Sequence, residues 1–454
     1  MGGQTVASRM RQSLSCRTGK NVRILCALGP ILVDSLLEAS AGHGGRRKNQ
    51  QGFATFESSR VTAAPVHSGE ASSSGPTPLA TQGPYNTQVK SRGVIRMDGP
   101  DIFKFLQGLV TNDVTRLERE PNESKVPTPS PVLGATVTPP LYTAILNPQG
   151  RFLYDLFLYR PRLSSDSLNR TGAGPGDDGS PYLLADVDSS VADELVSHLN
   201  RHRLRAKVSV ENISSDLRVW QRFGGVTADE PTRKGEEEAG LVGWAGSKDP
   251  AAQSTAESTS DGWSWYTDPR LTQLGLRGVF PSNTLPPLVE ADQEVGEEYF
   301  LLWRLEQGVA EGSTEIAKGE AIPLEYNLAG LNAISFDKGC YVGQELVART
   351  HHRGVIRKRV MPVKFVHEDD KEAQQEVVPG VAVVDTTSKK KVGTVTTVLG
   401  PRGLALLRLD PAQKEWAQLK LDMPEKDVYL KVTCPRWWPG AWGREDRQDS
   451  VANA

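Results

Sequence analysis

Apolar positions follow a helical period directly after a helix-start sequence at residues 98–101. Asp98-Gly99-Pro100-Asp101 supplies a capping residue, a proline for the first turn and an acid for the positive end of the helix dipole. Apolar residues then recur at helical spacing: Ile102, Phe105, Leu106, Leu109 and Val110. Because this spacing places them on one face, we predict a helix that packs against the rest of the protein.

Strand-like runs follow, mixed with further helical patterns. Residues 141–146 and 151–159 are apolar and aromatic and flank Asn147-Pro148-Gln149-Gly150, which predicts a hairpin with a four-residue turn. The other predicted elements are strands at 182–187 and 206–213 and helices at 189–202 and 297–309. Since helices and strands do not alternate regularly, the pattern favours an α+β fold.

A different pattern begins near residue 354. Short apolar runs lie at 357–365, 378–385, 391–399, 404–409 and 427–433, separated by turns such as Gly400-Pro401-Arg402-Gly403. These runs predict a small antiparallel barrel. The aromatic-rich segment at 436–442 could stack nucleic-acid bases, but we favour rings that cap the barrel or cover a seam between domains.

Residues 1–83 carry no pattern that could build a core. The first 33 include five basic residues and no acid, which is typical of an organellar presequence; a disordered tail without an address is the alternative. Residues 66–88 are rich in serine, glycine, proline and threonine, which cannot support a core. Insertions near 117–139, 161–180 and 228–262 have similar compositions and predict surface loops, and residues 437–454 form a tail.

Composition then narrows the function classes. The 454 residues suffice for two or three domains, and their net charge of −2 argues against a general nucleic-acid binder. No run of 18 apolar residues exists, so a transmembrane helix is excluded. The four cysteines include no CxxC pair, which excludes a dense disulfide framework and a structural zinc site of the usual spacing. We therefore expect neither a nucleic-acid nor a membrane partner.

The most informative segment surrounds a single cysteine. It reads Lys338-Gly339-Cys340-Tyr341-Val342-Gly343-Gln344-Glu345. The glycines permit close backbone approach, Lys338 would favour the reactive thiolate, and a helix starting near Gly343 would add to that effect. A buried structural cysteine is the alternative. A metal site of Cys340 with His351-His352 is conceivable, but we predict no metal.

Residues 338–345 resemble the KGCYxGQE motif of the folate-binding YgfZ family, which is related to the glycine-cleavage aminomethyltransferase, the T-protein. The segment 99–113 is similar to that family's first helix and 147–159 to its hairpin, so the resemblance covers roughly residues 84–435. Further matching positions are Arg304, Gly308, Ile322-Pro323 and Glu325. Together with a presequence, the chain resembles the eukaryotic mitochondrial branch, whose members are putative transferases by name and assembly factors for mitochondrial [4Fe–4S] proteins by function.

The resemblance implies a fold, a cofactor and a site. It implies two intertwined ferredoxin-like halves around a folate cavity at 84–353, a C-terminal antiparallel barrel at 354–436, and the mitochondrial matrix as location. The cofactor would be tetrahydrofolate, and iron–sulfur cluster assembly proteins would be the partners. Cys340 and Lys338 would be catalytic, with Cys340 accepting a one-carbon unit, exchanging disulfides or briefly holding iron. The implied cofactor-binding residues are Asp155, Tyr154, Gly339, Tyr341, Gly343, Gln344 and Glu345.

Asp155 is a candidate binding residue even without the resemblance. In the strand at 151–159 it shares a face with Leu153, Phe157 and Tyr159, where a carboxylate needs a partner. A pterin would be one, because its ring NH and exocyclic amine form a two-donor edge; a side chain reaching water is the alternative. The T-protein has two adjacent acids here, but Tyr154 replaces the first, which argues against aminomethyl transfer. A folate-dependent transferase and an RNA-modification module remain alternatives to the assembly role.

The basic stretch at 346–367 contains no acid and has two interpretations. It could receive the glutamate tail of a folate or an acidic protein partner. We favour the other interpretation, a solvated strand and turn.

Overall fold

The computed structural model describes Leu79, residues 83–118, 138–161, 180–225, 263–373, 377–412, 418–424 and 427–439, and Trp442. All of them belong to one compact unit, Ser74–Ala454. Nearly all of the predicted presequence and linker, most of the three predicted insertions and the tail after Trp442 lie outside these residues. Within the described ranges, no helix is long and apolar enough to cross a membrane.

Helices and strands are mixed along the chain. The helices are α1 (Ile102–Gln107), α2 (Thr115–Glu118), α3 (Ala192–Arg203), α4 (Glu297–Gln307), α5 (Gly312–Glu315), α6 (Gln344–Arg353) and α7 (Leu409–Ala412). The strands up to residue 300 are β1 (Tyr85–Gln88), β2 (Arg92–Asp98), β3 (Leu141–Leu146), β4 (Phe152–Tyr159), β5 (Tyr182–Asp188), β6 (Ser209–Asn212), β7 (Leu217–Phe223), β8 (Trp265–Thr267), β9 (Leu276–Pro281) and β10 (Gln293–Glu294). The later strands are β11 (Lys358–Val366), β12 (Ala382–Asp385), β13 (Lys391–Leu399), β14 (Arg402–Arg408), β15 (Leu419–Leu421) and β16 (Tyr429–Val432).

Two five-stranded sheets form the α+β body, and the chain passes between them. One sheet has the order β10-β1-β7-β9-β8 and the other β3-β4-β5-β2-β6. Consecutive strands β1 and β2 therefore lie in different sheets, and the chain returns to the first sheet only at β7. This arrangement intertwines the two halves, and the predicted α+β class is confirmed.

The predicted hairpin of β3 and β4 forms, but a bulge changes which residues share a face. The register shifts near the start of β4 and makes Leu153 an extra residue. Leu153 packs against the core cluster that contains Tyr154, whereas Phe157 and Tyr159 belong to the other cluster. The prediction that Leu153 lies beside Phe157 is therefore wrong, because alternation along a sequence carries no signal for a one-residue bulge.

Helix α1 is shorter than its apolar stripe. It ends at Gln107, and the N–H of the capping Gly108 donates to the carbonyl of Leu106. The last two residues of the stripe, Leu109 and Val110, are buried beyond the helix, where Val110 forms an isolated bridge with β3. The packing of the stripe was thus predictable, but the end of the helix was not.

The C-terminal strands close into a barrel of order β11-β14-β13-β12-β15-β16, as predicted, although β15 was missed. Aromatic rings that follow the barrel lie on its seam with the α+β body. Trp437 Nε1 donates to the carbonyl of Gln307 at 2.8 Å, at the end of α4. The guanidinium of Arg359, on β11, lies 3.5 Å from the ring centroid of Trp442. The expectation that these rings cover a seam is confirmed.

Candidate functional site

The loop before α6 presents Cys340 at the surface. Cys340 is a free, exposed cysteine, and Gly339 beside it is exposed as well. A methyl group added to Gly339 would meet no atom within 4 Å among the described residues other than its two chain neighbours. Tyr341, by contrast, is buried, and burial raises the pKa of its phenol to about 12. The alternative of a buried structural cysteine is therefore wrong, since Tyr341 supplies the packing instead.

Lys338 anchors this loop to the end of α1. Its ammonium donates to three backbone carbonyls, those of Gln107 at 2.8 Å, Val110 at 2.6 Å and Asn112 at 2.8 Å. Burial lowers the pKa of Lys338 to about 8, against a smaller opposing effect of Asp113. An ammonium has three N–H donors, so no donor remains for the thiol. This geometry makes Lys338 an anchor of the loop, and the expectation that its charge favours the thiolate of Cys340 stays a prediction.

The cysteine loop also packs against the turn of the β3–β4 hairpin. Gly343 caps α6 with a φ of 82°, and a Cβ there would lie 2.5 Å from the carbonyl oxygen of Asn147. Gly150 has a φ of 77°, and its Cβ would lie 2.6 Å from the Cβ of Leu346. Both glycines thus allow a close approach that other residues would prevent. The two segments that carried the sequence resemblance are therefore in direct contact.

Helix α6 begins at Gln344, as the sequence predicted, and projects charge towards solvent. Gln344 is half-buried, and Glu345 is exposed and forms an ion pair with Arg349. Further along, the ring of His351 stacks on Phe336 with centroids 3.7 Å apart. The described residues contain no group of three or more histidines, cysteines and acids that could hold a metal ion.

Asp155 lies in the interior with partners from the chain itself. Its side chain is 1% exposed. Oδ1 accepts from Arg92 Nη1 at 3.1 Å, and Oδ2 accepts from the Tyr142 hydroxyl at 3.3 Å and the Gly312 N–H at 3.2 Å. The alternative of a carboxylate that reaches water is therefore wrong. The charged partner of the buried Asp155 carboxylate is the guanidinium of Arg92.

Asp155 belongs to a larger buried network of arginines and acids. Asp186 accepts from Arg92 Nε at 2.6 Å and from Arg277 Nε at 2.7 Å. Glu311 accepts from Arg277 at 3.1 Å and also pairs with Arg270. Burial acts to raise the pKa of Glu311, but the surrounding guanidiniums hold it well below its ordinary value. Glu311 is therefore held in its charged form, and the acids and arginines of the network are paired with one another.

Sequence reasoning missed these arginines and two of the acids. Asp186 lies within an apolar strand, as Asp155 does, so the same signal was available for it. Arg277 likewise lies in the apolar strand β9. Spacing could not pair them, because Arg277 and Asp186 are 91 residues apart in the chain.

Tyr154 and the residues of the cysteine loop lie apart from Asp155. Tyr154 is buried in the other core cluster, where its hydroxyl donates to Glu194 on α3 at 2.9 Å. Burial, and then the bond to Glu194, raise the pKa of this phenol. Along β4, Asp155 lies five residues beyond Gly150, about 16 Å in an extended strand. The predicted site residues therefore fall into three places: the cysteine loop, the Asp155 network and the Tyr154 side of the sheet.

The hydrogen-bond partners of Asp155 decide whether the folate implied by the sequence resemblance could be held there. A pterin needs a carboxylate whose acceptors face a cavity, but both oxygens of Asp155 already accept from the protein. The described residues at Asp155 therefore do not fit a pterin.

The fold and the cysteine loop define a class of protein, an aminomethyltransferase-like α+β body with a C-terminal barrel and an exposed cysteine. The crystal structure of glycine cleavage system aminomethyltransferase T from Bartonella henselae is similar to this chain with a TM-score of 0.51. The two share 14% identity, over 79% of this chain and 88% of that chain, so the likeness concerns the fold alone. Residues 357–440 match the family described as CAF17, C-terminal beta-barrel domain.

Curated relatives narrow the class to one family. The iron-sulfur cluster assembly factor IBA57, mitochondrial, of Homo sapiens is 36% identical, over 78% of this chain and 85% of the relative. The Mus musculus protein of the same name is 33% identical with the same coverage. The IBA57 homolog of Mycosarcoma maydis is 30% identical, over 78% of this chain and 84% of the relative. The chain therefore belongs to the IBA57 family.

Proposed function

We propose that this chain is an assembly factor for [4Fe–4S] proteins in the mitochondrial matrix and that it acts through Cys340. The observation that carries the proposal is the exposed thiol on a loop that is anchored on both sides. Lys338 holds the loop before the cysteine, and the Val342 N–H donates to the Gly108 carbonyl at 3.1 Å after it. Membership of a family whose members are named mitochondrial iron-sulfur cluster assembly factors supports the same role.

The chemistry of an exposed thiol suits this role. The thiolate is the form that ligates iron and attacks disulfides. A loop held at fixed positions presents the sulfur to a partner without first having to order itself, which lowers the entropic cost of the encounter. The partners would be iron–sulfur cluster assembly proteins of the mitochondrion, which would meet Cys340 on the outer surface.

Tetrahydrofolate dependence stays a prediction of the resemblance, and no step of the proposal uses it. The aminomethyl-transfer alternative is weakened by geometry. Tyr154, which replaces the first of the two adjacent acids, donates a hydrogen bond from its hydroxyl to Glu194, on the opposite side of the sheet from Asp155. No second acid therefore stands beside Asp155 on β4 to act as a general base.

Replacement of Cys340 tests the proposal. Cells depleted of the endogenous protein would receive the wild-type chain, Cys340→Ala or the matched control Cys434→Ala, which changes the other exposed free cysteine among the described residues. We expect Cys340→Ala to keep its melting temperature, because an exposed side chain contributes little to stability. It should fail to restore aconitase activity and protein lipoylation, while [2Fe–2S] enzymes stay unaffected.

Two results would contradict the proposal. One is full recovery of aconitase and lipoylation with Cys340→Ala. The other is an equal defect in both cysteine variants, since this would mean that the exposed thiol on the anchored loop has no special part. A Cys340→Ala protein that fails to fold would favour a structural role for the residue.

A further inference from the structure

The interior site at Asp155 is filled by the chain itself. We infer that Arg92 occupies the position that a pterin would take at Asp155, so that this site accepts no folate. The inference concerns the interior of the α+β body and is independent of the proposed role of Cys340. It rests on the donors that reach Asp155, on the aromatic face beside it and on the burial of every charge involved.

Arg92 supplies one of the two donors that a pterin edge would bring to Asp155, and Tyr142 and Gly312 fill the other oxygen. A pterin presents an N–C–N edge with two parallel N–H donors, and a guanidinium presents the same kind of planar fork. Arg92 Nη1 donates to Asp155 Oδ1 at 3.1 Å, Nε donates to Asp186 Oδ1 at 2.6 Å, and Nη2 donates to the Asp186 carbonyl at 2.9 Å. Each of its three nitrogens therefore has an acceptor, and Asp155 has its cation.

The aromatic face that a pterin would need is covered too. Three guanidiniums lie near the ring of Phe157, which follows Asp155 on β4: Arg277 at 4.2 Å from the centroid, Arg270 at 4.7 Å and Arg92 at 5.4 Å. Planar cations stack on aromatic faces as planar heterocycles do. A pterin would have to displace these guanidiniums to reach the ring.

Displacing Arg92 from Asp155 would separate two charges that are both buried. The side chains of Arg92 and Asp155 are each 1% exposed, and that of Asp186 is fully buried. A pterin edge could satisfy Asp155, but the guanidinium would then lose this partner while remaining buried. Asp186 would still pair with the guanidinium, but losing one of its buried carboxylate partners is unfavourable, so the internal ion pair opposes the ligand.

Calorimetry on the purified wild-type chain tests the inference without any mutation. Tetrahydrofolate should give no binding heat at concentrations that saturate a folate-binding YgfZ-family protein used as the positive control. If heat appears, the same titration on Asp155→Asn decides: equal affinity supports the inference, because the ligand then lies elsewhere. A loss of tenfold or more in folded Asp155→Asn would overturn it.

A second experiment removes the guanidinium and returns it as a small molecule. Arg92→Ala should melt below wild type, and millimolar ethylguanidinium should raise its melting temperature by about 2–4 °C by refilling the site. Wild type and the control Arg205→Ala, which changes an exposed arginine, should gain nothing. An Arg92→Ala protein as stable as wild type, or one that melts lower and is not rescued, would overturn the inference. Should Arg92→Ala fail to fold, the wild-type titration decides alone.

Discussion

Lys338→Met removes the anchor of the cysteine loop while keeping a side chain of similar length. The wild-type ammonium donates to three carbonyls at the end of α1 and in the turn that follows. Two of these bonds, to Val110 and Asn112, are buried, whereas the bond to Gln107 is partly exposed. Methionine has no donor, so the two buried carbonyls would lose their partner without gaining water.

The expected loss follows from these contacts. A buried polar group left without a partner costs about 1–3 kcal/mol, so two carbonyls would cost about 2–6 kcal/mol. Part of this is offset, because methionine avoids the burial that lowers the pKa of the Lys338 ammonium to about 8. We therefore expect Lys338→Met to lower the free energy of unfolding by about 1–3 kcal/mol. Lys104→Met, which changes an exposed lysine on α1, should stay within about 0.5 kcal/mol of wild type.

Two measurements together separate an anchor from an activator. Denaturant unfolding gives the stability, and the rate of Cys340 alkylation by iodoacetamide against pH, followed by mass spectrometry of its peptide, gives the titration of the thiol. A role as anchor alone predicts lower stability and an unchanged alkylation midpoint in Lys338→Met, whereas lower stability with a midpoint moved to higher pH would mean that Lys338 has both roles. Unchanged stability with a midpoint moved to higher pH would refute the anchoring argument and restore Lys338 as the group that favours the thiolate.

Further expectations concern the two glycines, the interior acid and pH. Gly343→Ala should lower the free energy of unfolding by at least about 2 kcal/mol in denaturant unfolding, since Gly343 has a φ of 82°. Gly339→Ala should change it by less than about 0.5 kcal/mol. Equal losses in the two variants would contradict this expectation. Asp155→Ala should cost about 3–5 kcal/mol because it breaks the buried pair with Arg92, and a neutral variant would contradict the network. Between pH 8 and 10.5, Lys338 binds more protons in the unfolded chain than in the folded one. The free energy of unfolding should therefore rise with pH across this window, and this rise should be absent in Lys338→Met.

The sequence predicted well those elements that are determined by residues close together in the chain. The β3–β4 hairpin, the start of α6 and the barrel all follow from apolar alternation and turn residues within short segments. The cysteine loop could be recognised from the sequence because its unusual residues are consecutive. Their possible chemistry can therefore be inferred before the fold is known. Its exposure was not decided by these residues, because burial depends on what the rest of the chain places there.

What the sequence could not show is assembled from distant strands. Arg92 lies on β2, Asp186 on β5 and Arg277 on β9, and they meet only because the chain passes between two sheets. From the sequence, Asp155 was a lone acid on an apolar strand, and an external ligand was a reasonable partner for it. The structure supplies an internal partner 63 residues earlier in the chain, which no local pattern indicates.

Within the cysteine loop, each structural task belongs to a residue other than Cys340. Lys338 anchors the loop, Tyr341 fills the core beside it, and Gly343 allows the close approach to the hairpin turn. Gly339 has no left-handed φ and, among the described residues other than its two chain neighbours, none that a Cβ would touch, so neither backbone geometry nor this packing requires a glycine there. A glycine nonetheless leaves the loop with more conformational entropy to lose on folding. Gly339 thus adds no side chain next to the exposed Cys340, which suits the approach of the partner that we propose for this thiol.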